Sequence, residues 1–158
     1  MNKNKDDQLK TATAIFSDSG YPLPIELRPI WRIGLMCVAI HAIGTDGVSL
    51  KLNKMRVILW MLIRPQNWGD YYDSLHLYSN SILSMSSDRS TDKAIELAIA
   101  KNFLQLDSEA LILGEEGYKL LQLAHDLSLF NSEVEFLLSI KNKVTDKYIK
   151  RILGQEKC

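Results

Sequence analysis

The chain has 158 residues, 46% apolar and 24% charged, which is enough for one domain with a proper core and excludes a disordered or fibrous polymer. Nineteen basic residues balance nineteen acidic ones, so the basic excess of a general polyelectrolyte binder is absent. Two cysteines, Cys37 and Cys158, make no disulfide framework, and a reducing, cytoplasmic setting is expected.

Residues 1–20, "MNKNKDDQLKTATAIFSDSG", read as a loose polar leader with a short helix around Gln8 to Phe16. They lack an apolar core of signal-peptide length, so secretion is not expected. "YPLPIELRP" holds three prolines in nine residues, which forces an extended path. Pro29 then suits the first turn of a helix running to about Ile43, and Gly44 is a natural stop. Ile30, Ile33, Gly34, Cys37, Ile40 and His41 fall on one stripe of that helix, broadened by Leu35, Val38 and Ala42. "TDGVSL" is a turn and a very short extended piece, from which Ser49 is expected to cap the next helix, "LKLNKMRVILWMLIR", ended by Pro65. The most apolar runs, "IGLMCVAIHAIG" and "VILWMLI", fall short of the roughly 20 residues that span a bilayer, and no membrane partner is expected.

Beyond Pro65, "GDYYDSLHLYSNSI" fits a helix with Tyr72, Leu75 and Ser79 on one face, and "SMSSDRS" is a polar loop. Thr91 or Asp92 is expected to cap "KAIELAIAK", with Ile95, Leu97, Ala98 and Ile99 inward. Two short apolar runs follow, "FLQL" and "ALIL", separated only by Asp107, Ser108 and Glu109, and a helix opens at Glu115 and runs to Asp126. Ser132 with Glu135 three residues on predicts a capping box for "EVEFLLSIK", and Thr145 caps a last helix, "DKYIKRIL", closed by Gly154.

Helix, extended piece, helix, insertion, helix, hairpin and helix is the order of a winged-helix domain. The fold class is therefore mainly α with a small β-hairpin: a winged helix with an insertion between its second and third helices and extra C-terminal helices. Residues 1–20 form the leader, 21–127 the winged-helix-like domain, and 128–158 the helices packed on it. A generic helical domain with an incidental hairpin is the alternative.

Winged helices that read DNA need base, or neutral hydrogen-bonding residues, on the third helix and the wing. Between Asp88 and Glu116 seven acids (Asp88, Asp92, Glu96, Asp107, Glu109, Glu115, Glu116) face three bases (Arg89, Lys93, Lys101), a local charge of −4. Residues 26–64 and 141–157 each carry six bases against two acids, +4 apiece. On the last helix Lys147, Lys150 and Arg151 share a face, which fits a DNA-backbone contact or an ordinary solvated surface. No catalytic or metal-ligand spacing is present: His41, His76 and His125 each stand alone, and neither cysteine lies near a histidine. His41 reads as a core or interface residue and Trp60 as core, while Trp68, with Tyr71 and Tyr72, makes an aromatic loop suited to a protein-protein contact. No enzyme activity, cofactor or metal is expected.

The segments "RPIWRIGLMCVAIHAIG", "VSLKLNKMRVILWMLIR" and "DKAIELAIAKNFLQLDSEALILGEEGYKLLQLA", spanning Arg28 to Asp126, resemble the small middle components of bacterial three-component ABC systems. These include the small accessory subunit of Lamassu-type anti-phage defence. The resemblance implies a non-catalytic winged-helix subunit that binds an SMC-like coiled-coil ATPase and helps couple DNA sensing to an effector, often a nuclease. Asp107, Glu109 and Glu96 are then the candidates for contacting basic patches on that partner, joined by Trp68 and Tyr72. The rival expectation is a free-standing winged-helix transcriptional regulator that binds DNA itself.

Overall fold

A computed structural model describes residues 28–76 and 88–154, with residues 24 and 85. The expected helix at Gln8 to Phe16, most of the proline-rich path, Ser79, most of the serine loop and Cys158 lie outside the described residues. Helix α1 (Pro29–Ile43) starts with proline at its first turn and stops at Gly44, whose N–H reaches the Ile40 carbonyl at 2.9 Å. Every residue from Arg32 to Ile40 is buried, so α1 has no solvent stripe along its middle. Its ends depart from the expected apolar stripe, because Ile30 and His41 are exposed. A helix apolar all round belongs at the centre of a core, and α1 touches most of the other elements.

Strand β1 (Ser49–Lys51) leads directly into helix α2 (Leu52–Leu62). Ser49 is therefore a strand residue rather than the expected helix cap. The first amide of α2 is satisfied instead by a distant carbonyl: Leu52 N–H donates to Glu109 O at 2.8 Å. A 3-10 turn (Pro65–Asn67) and helix α3 (Trp68–His76) follow. Helix α4 (Arg89–Ala100) is capped by Asp88, whose carboxylate accepts Ser90 N–H at 2.9 Å, and not by Thr91 or Asp92. Strands β2 (Leu104–Asp107) and β3 (Ala110–Leu113) form an antiparallel hairpin in which Asp107 pairs with Ala110. Ser108 and Glu109 alone make the turn, with Ser108 at φ 55°. β3 also pairs antiparallel with β1, Leu50 opposite Leu111, so the strand order is β1-β3-β2.

Helix α5 (Glu115–Asp126) follows the sheet, then α6 (Asn131–Ile140) and α7 (Asp146–Ile152). The capping box expected at Ser132 does not form; Phe130 precedes α6 at φ 62° with no side-chain cap. Its ring is held by packing instead, 4.4 Å from the Trp31 ring. Thr145 caps α7 as its sequence indicates, accepting Tyr148 N–H at 3.2 Å. α6 packs on α1 and α3, and α7 packs on α2. Phe136, Leu137, Ile140, Tyr148, Ile149 and Ile152 join the cluster that holds Met36, Ile58 and Leu111, so the C-terminal helices share the central core. Among the described residues the molecule is mainly helical with one small antiparallel sheet, and no helix is long and apolar enough to cross a membrane.

Candidate functional site

The stretch from Asp88 to Glu116 carries less free acid than its sequence implies. Asp88 is paired with Arg32 at 2.6 Å, Asp92 with Arg56 at 3.2 Å, and Glu115 and Glu116 with Lys119 at 3.5 and 2.9 Å. Those three cations come from outside the stretch 88–116 and bring its balance from −4 to −1. Glu96, Asp107 and Glu109 are exposed and form no ion pair among the described residues. Leu97 and Leu106 are exposed on the same two elements, as are Arg89 and Lys93 on α4. The surface is mixed rather than uniformly acidic.

The expected aromatic loop is the start of helix α3, and its three rings differ in exposure. The Trp68 ring stacks on Phe136, centroids 4.7 Å apart and planes 4° from parallel, and its indole N–H donates to Met61 O at 3.0 Å. Tyr71 is buried against Trp60, which is only half-buried. Tyr72 alone of the trio is exposed, stacked on His76 at 4.0 Å. Trp68 therefore clamps the insertion to α6, and Tyr72 is the aromatic a partner can reach.

The two basic stretches, far apart in sequence, meet in space. Lys51 at the head of α2 pairs with Asp146 of α7 at 2.9 Å. The Asp146 carboxyl is held below the usual range first by the Lys51 hydrogen bond and its charge, with Lys54 and Lys150 adding to it. Lys54 is half-buried, and the loss of solvent pushes its pKa down. Lys147, Lys150 and Arg151 are all exposed on α7, as their spacing predicts. The charge of Glu109 also acts on Lys51, so the hairpin tip adjoins this basic face. Charges segregated along the sequence are neighbours in the fold.

A third feature has no counterpart in the sequence-based expectations. Between α1, α5 and α6 runs an open groove of about 800 Å³ with Val38, Ala42, Leu121 and Val134 in its lining. Tyr118, Leu129 and Leu138 stand on it, 52%, 40% and 55% exposed, in place of the polar side chains usual on a solvated helix face. His41 is exposed at this groove rather than in the core, and His125 lies in the same lining. One signal was available: "FLL" at Phe136 to Leu138 puts three apolar residues in succession, and a helix with a solvent-facing side, flanked here by Glu135 and Ser139, turns only part of such a run inward. Phe136 and Leu137 are buried, and Leu138 is left outside.

Among the described residues no cluster of three His, Cys, Asp or Glu side chains is placed to hold a metal ion, and every buried side-chain polar atom has a hydrogen-bond partner. In comparisons with protein-family models, curated proteins and solved structures, nothing matches the chain.

Proposed function

We propose that the chain is a non-catalytic winged-helix accessory subunit of a cytoplasmic anti-phage defence complex. It docks on an SMC-like coiled-coil ATPase and helps couple DNA sensing to an effector such as a nuclease. The observation that carries this reading is the apolar groove between α1, α5 and α6, with Tyr118, Leu129 and Leu138 exposed on it. Exposed large apolar side chains gathered at a concavity are characteristic of protein contacts, and an amphipathic helix laid into such a groove is a standard recognition mode. A coiled-coil ATPase is made of helices that supply that face. The winged-helix assignment is supported by the element order and by the strand order β1-β3-β2, with the short first strand between the first two helices. Exposed Asp107 and Glu109 at the hairpin suit a basic patch on the same partner.

Co-purification of the tagged chain with its genetic neighbours tests the proposal. A large coiled-coil ATPase in stoichiometric amount, lost with Leu138→Glu, is the expected result. Recovery of the chain alone, as a dimer that shifts one DNA sequence in strong preference to others, would replace it with the free-standing regulator. That second reading draws on Arg89, Lys93 and Lys101, three exposed cations on and just after α4. Undiminished partner binding after charge reversal of Asp107 and Glu109 would remove the hairpin from the interface.

A further inference from the structure

We propose that the cleft between the end of α3, the 141–145 connection and the outer face of α7 is a binding site for the phosphodiester backbone of nucleic acid. The cleft measures about 410 Å³, and Lys143, Lys147 and Arg151 line it. No carboxylate is among its lining residues; the other polar groups there are the Asn142 amide and the hydroxyls of Ser74, Thr145 and Tyr148. Lys147 and Arg151 are one helical turn apart, so both cations reach over the same opening. None of the three is in an ion pair among the described residues.

The walls prepare these cations for an anion. The Arg151 guanidinium lies over the Tyr148 ring, 5.3 Å from its centroid, a cation–π contact that helps hold a group suited to bidentate recognition of phosphate. Tyr148 is itself fixed, because its hydroxyl meets Ser74 Oγ at 3.1 Å and Ser74 donates to the Tyr71 carbonyl at 2.9 Å. Three like charges around one opening repel each other, and an anion between them relieves that repulsion.

The surroundings favour a polymer over a single phosphate. The basic face continues beyond the cleft: Lys150 of α7, Lys51 of β1 and Lys54 of α2 all act on the Asp146 carboxylate. A strip of cations leading out of a phosphate-sized cleft fits an extended polyanion, whose binding rests on neutralising successive phosphates. The cleft is separate from the apolar groove and does not depend on what occupies that groove.

The test is fluorescence anisotropy with a short DNA duplex of mixed sequence, titrated at several salt concentrations. The full chain should bind independently of base sequence. Lys147→Gln with Arg151→Gln should weaken binding about tenfold at low salt and lower the slope of log affinity against log salt by about 2. Lys119→Gln, which removes an exposed cation outside the cleft, should leave affinity and slope unchanged. The altered side chains are exposed, and an unchanged thermal midpoint will confirm that each variant folds. Unaltered affinity and slope in the double variant would overturn the proposal, as would failure of the wild-type chain to bind duplex at low salt. Pyrophosphate provides a further arm: its binding to the cleft without duplex binding would reassign the site to a small phosphorylated ligand.

Discussion

Arg32 on the central helix donates a hydrogen bond of 2.6 Å to Asp88, the residue that caps α4. The guanidinium is only 7% exposed, and it also donates to Thr91 Oγ at 3.0 Å. One carboxylate thus sets where α4 begins and answers a charge brought into the core from α1. Replacing Asp88 by alanine removes both services. Breaking a buried pair from one side costs about 3–5 kcal/mol, and loss of a cap adds about 1. Because Arg32 keeps Thr91 and further contacts, a total near 3 kcal/mol is expected, read as a lowered urea midpoint with the slope unchanged.

The same carboxylate makes stability depend on pH. Partial burial works to raise its pKa, but hydrogen bonds from Arg32, Thr91 and the Ser90 N–H, with the Arg32 charge, outweigh burial and hold it below the ordinary 3.8. A group whose folded pKa is depressed contributes stability above its unfolded value and loses that contribution as pH falls through the folded value. The wild type should therefore lose stability below about pH 3.8 more steeply than Asp88→Asn, which has no proton to take up there. Parallel curves for the two proteins in urea titrations across that range would refute the assignment.

Two glycines should respond differently to alanine. A Cβ on Gly117 would come within 2.2 Å of the Phe103 carbonyl oxygen, part of the backbone entering the hairpin. A Cβ on Gly34 would come within 2.8 Å of the Phe130 ring, a side chain that can tilt away. Overpacking of a core costs about 1–3 kcal/mol, and the rigid neighbour belongs at the upper end. Gly117→Ala should cost about 3 kcal/mol or more and Gly34→Ala about 1, by chemical denaturation; equal losses would mean that α5 shifts freely on the hairpin.

Local signals in the sequence were legible, and non-local ones were not. Pro29, Gly44 and Thr145 act through neighbours a few residues away, and each marks the boundary its chemistry predicts. Ser49 and Thr91 are good caps by type, yet distant residues recruit them: Ser49 joins the ladder opposite Ile112, and Thr91 turns to Arg32. The count of −4 over Asp88 to Glu116 failed for the same reason, because the neutralising Arg32 and Arg56 lie on helices far back in the chain. Lys147, Lys150 and Arg151 were identifiable from helical spacing, but their junction with Lys51 and Lys54 needed the packing of α7 on α2. The half-buried Trp68 stacks on Phe136, a contact that nothing near it in sequence announces.

Cys37 offers a probe of how firmly the core closes. Its side chain is fully buried, and burial pushes the thiol up to about 12. The thiolate is the reactive form, so native Cys37 should be inert to alkylation, and reaction should proceed only through opening of the fold. In a Cys158→Ser background, iodoacetamide labelling should be slow in buffer and rise with urea in step with unfolding. Prompt labelling of the native protein would mean that α1 is not enclosed.

Neighbouring leucines on α6 separate the core from the proposed docking surface. Leu137 is 0% exposed and Leu138 55% exposed, although the two are chemically identical and adjacent. Leu137→Ala should cost about 2–5 kcal/mol, the range for emptying a packed site. Leu138→Ala should stay within about 0.5 kcal/mol in the isolated chain, because more than half of its surface already faces solvent. If Leu138 serves a partner, the ranking reverses in its effect on complex formation: Leu138→Ala weakens co-purification while the chain itself melts as before. A Leu138 variant that melts early would place this residue in the fold of the free chain and deprive the groove of its most exposed large apolar contact.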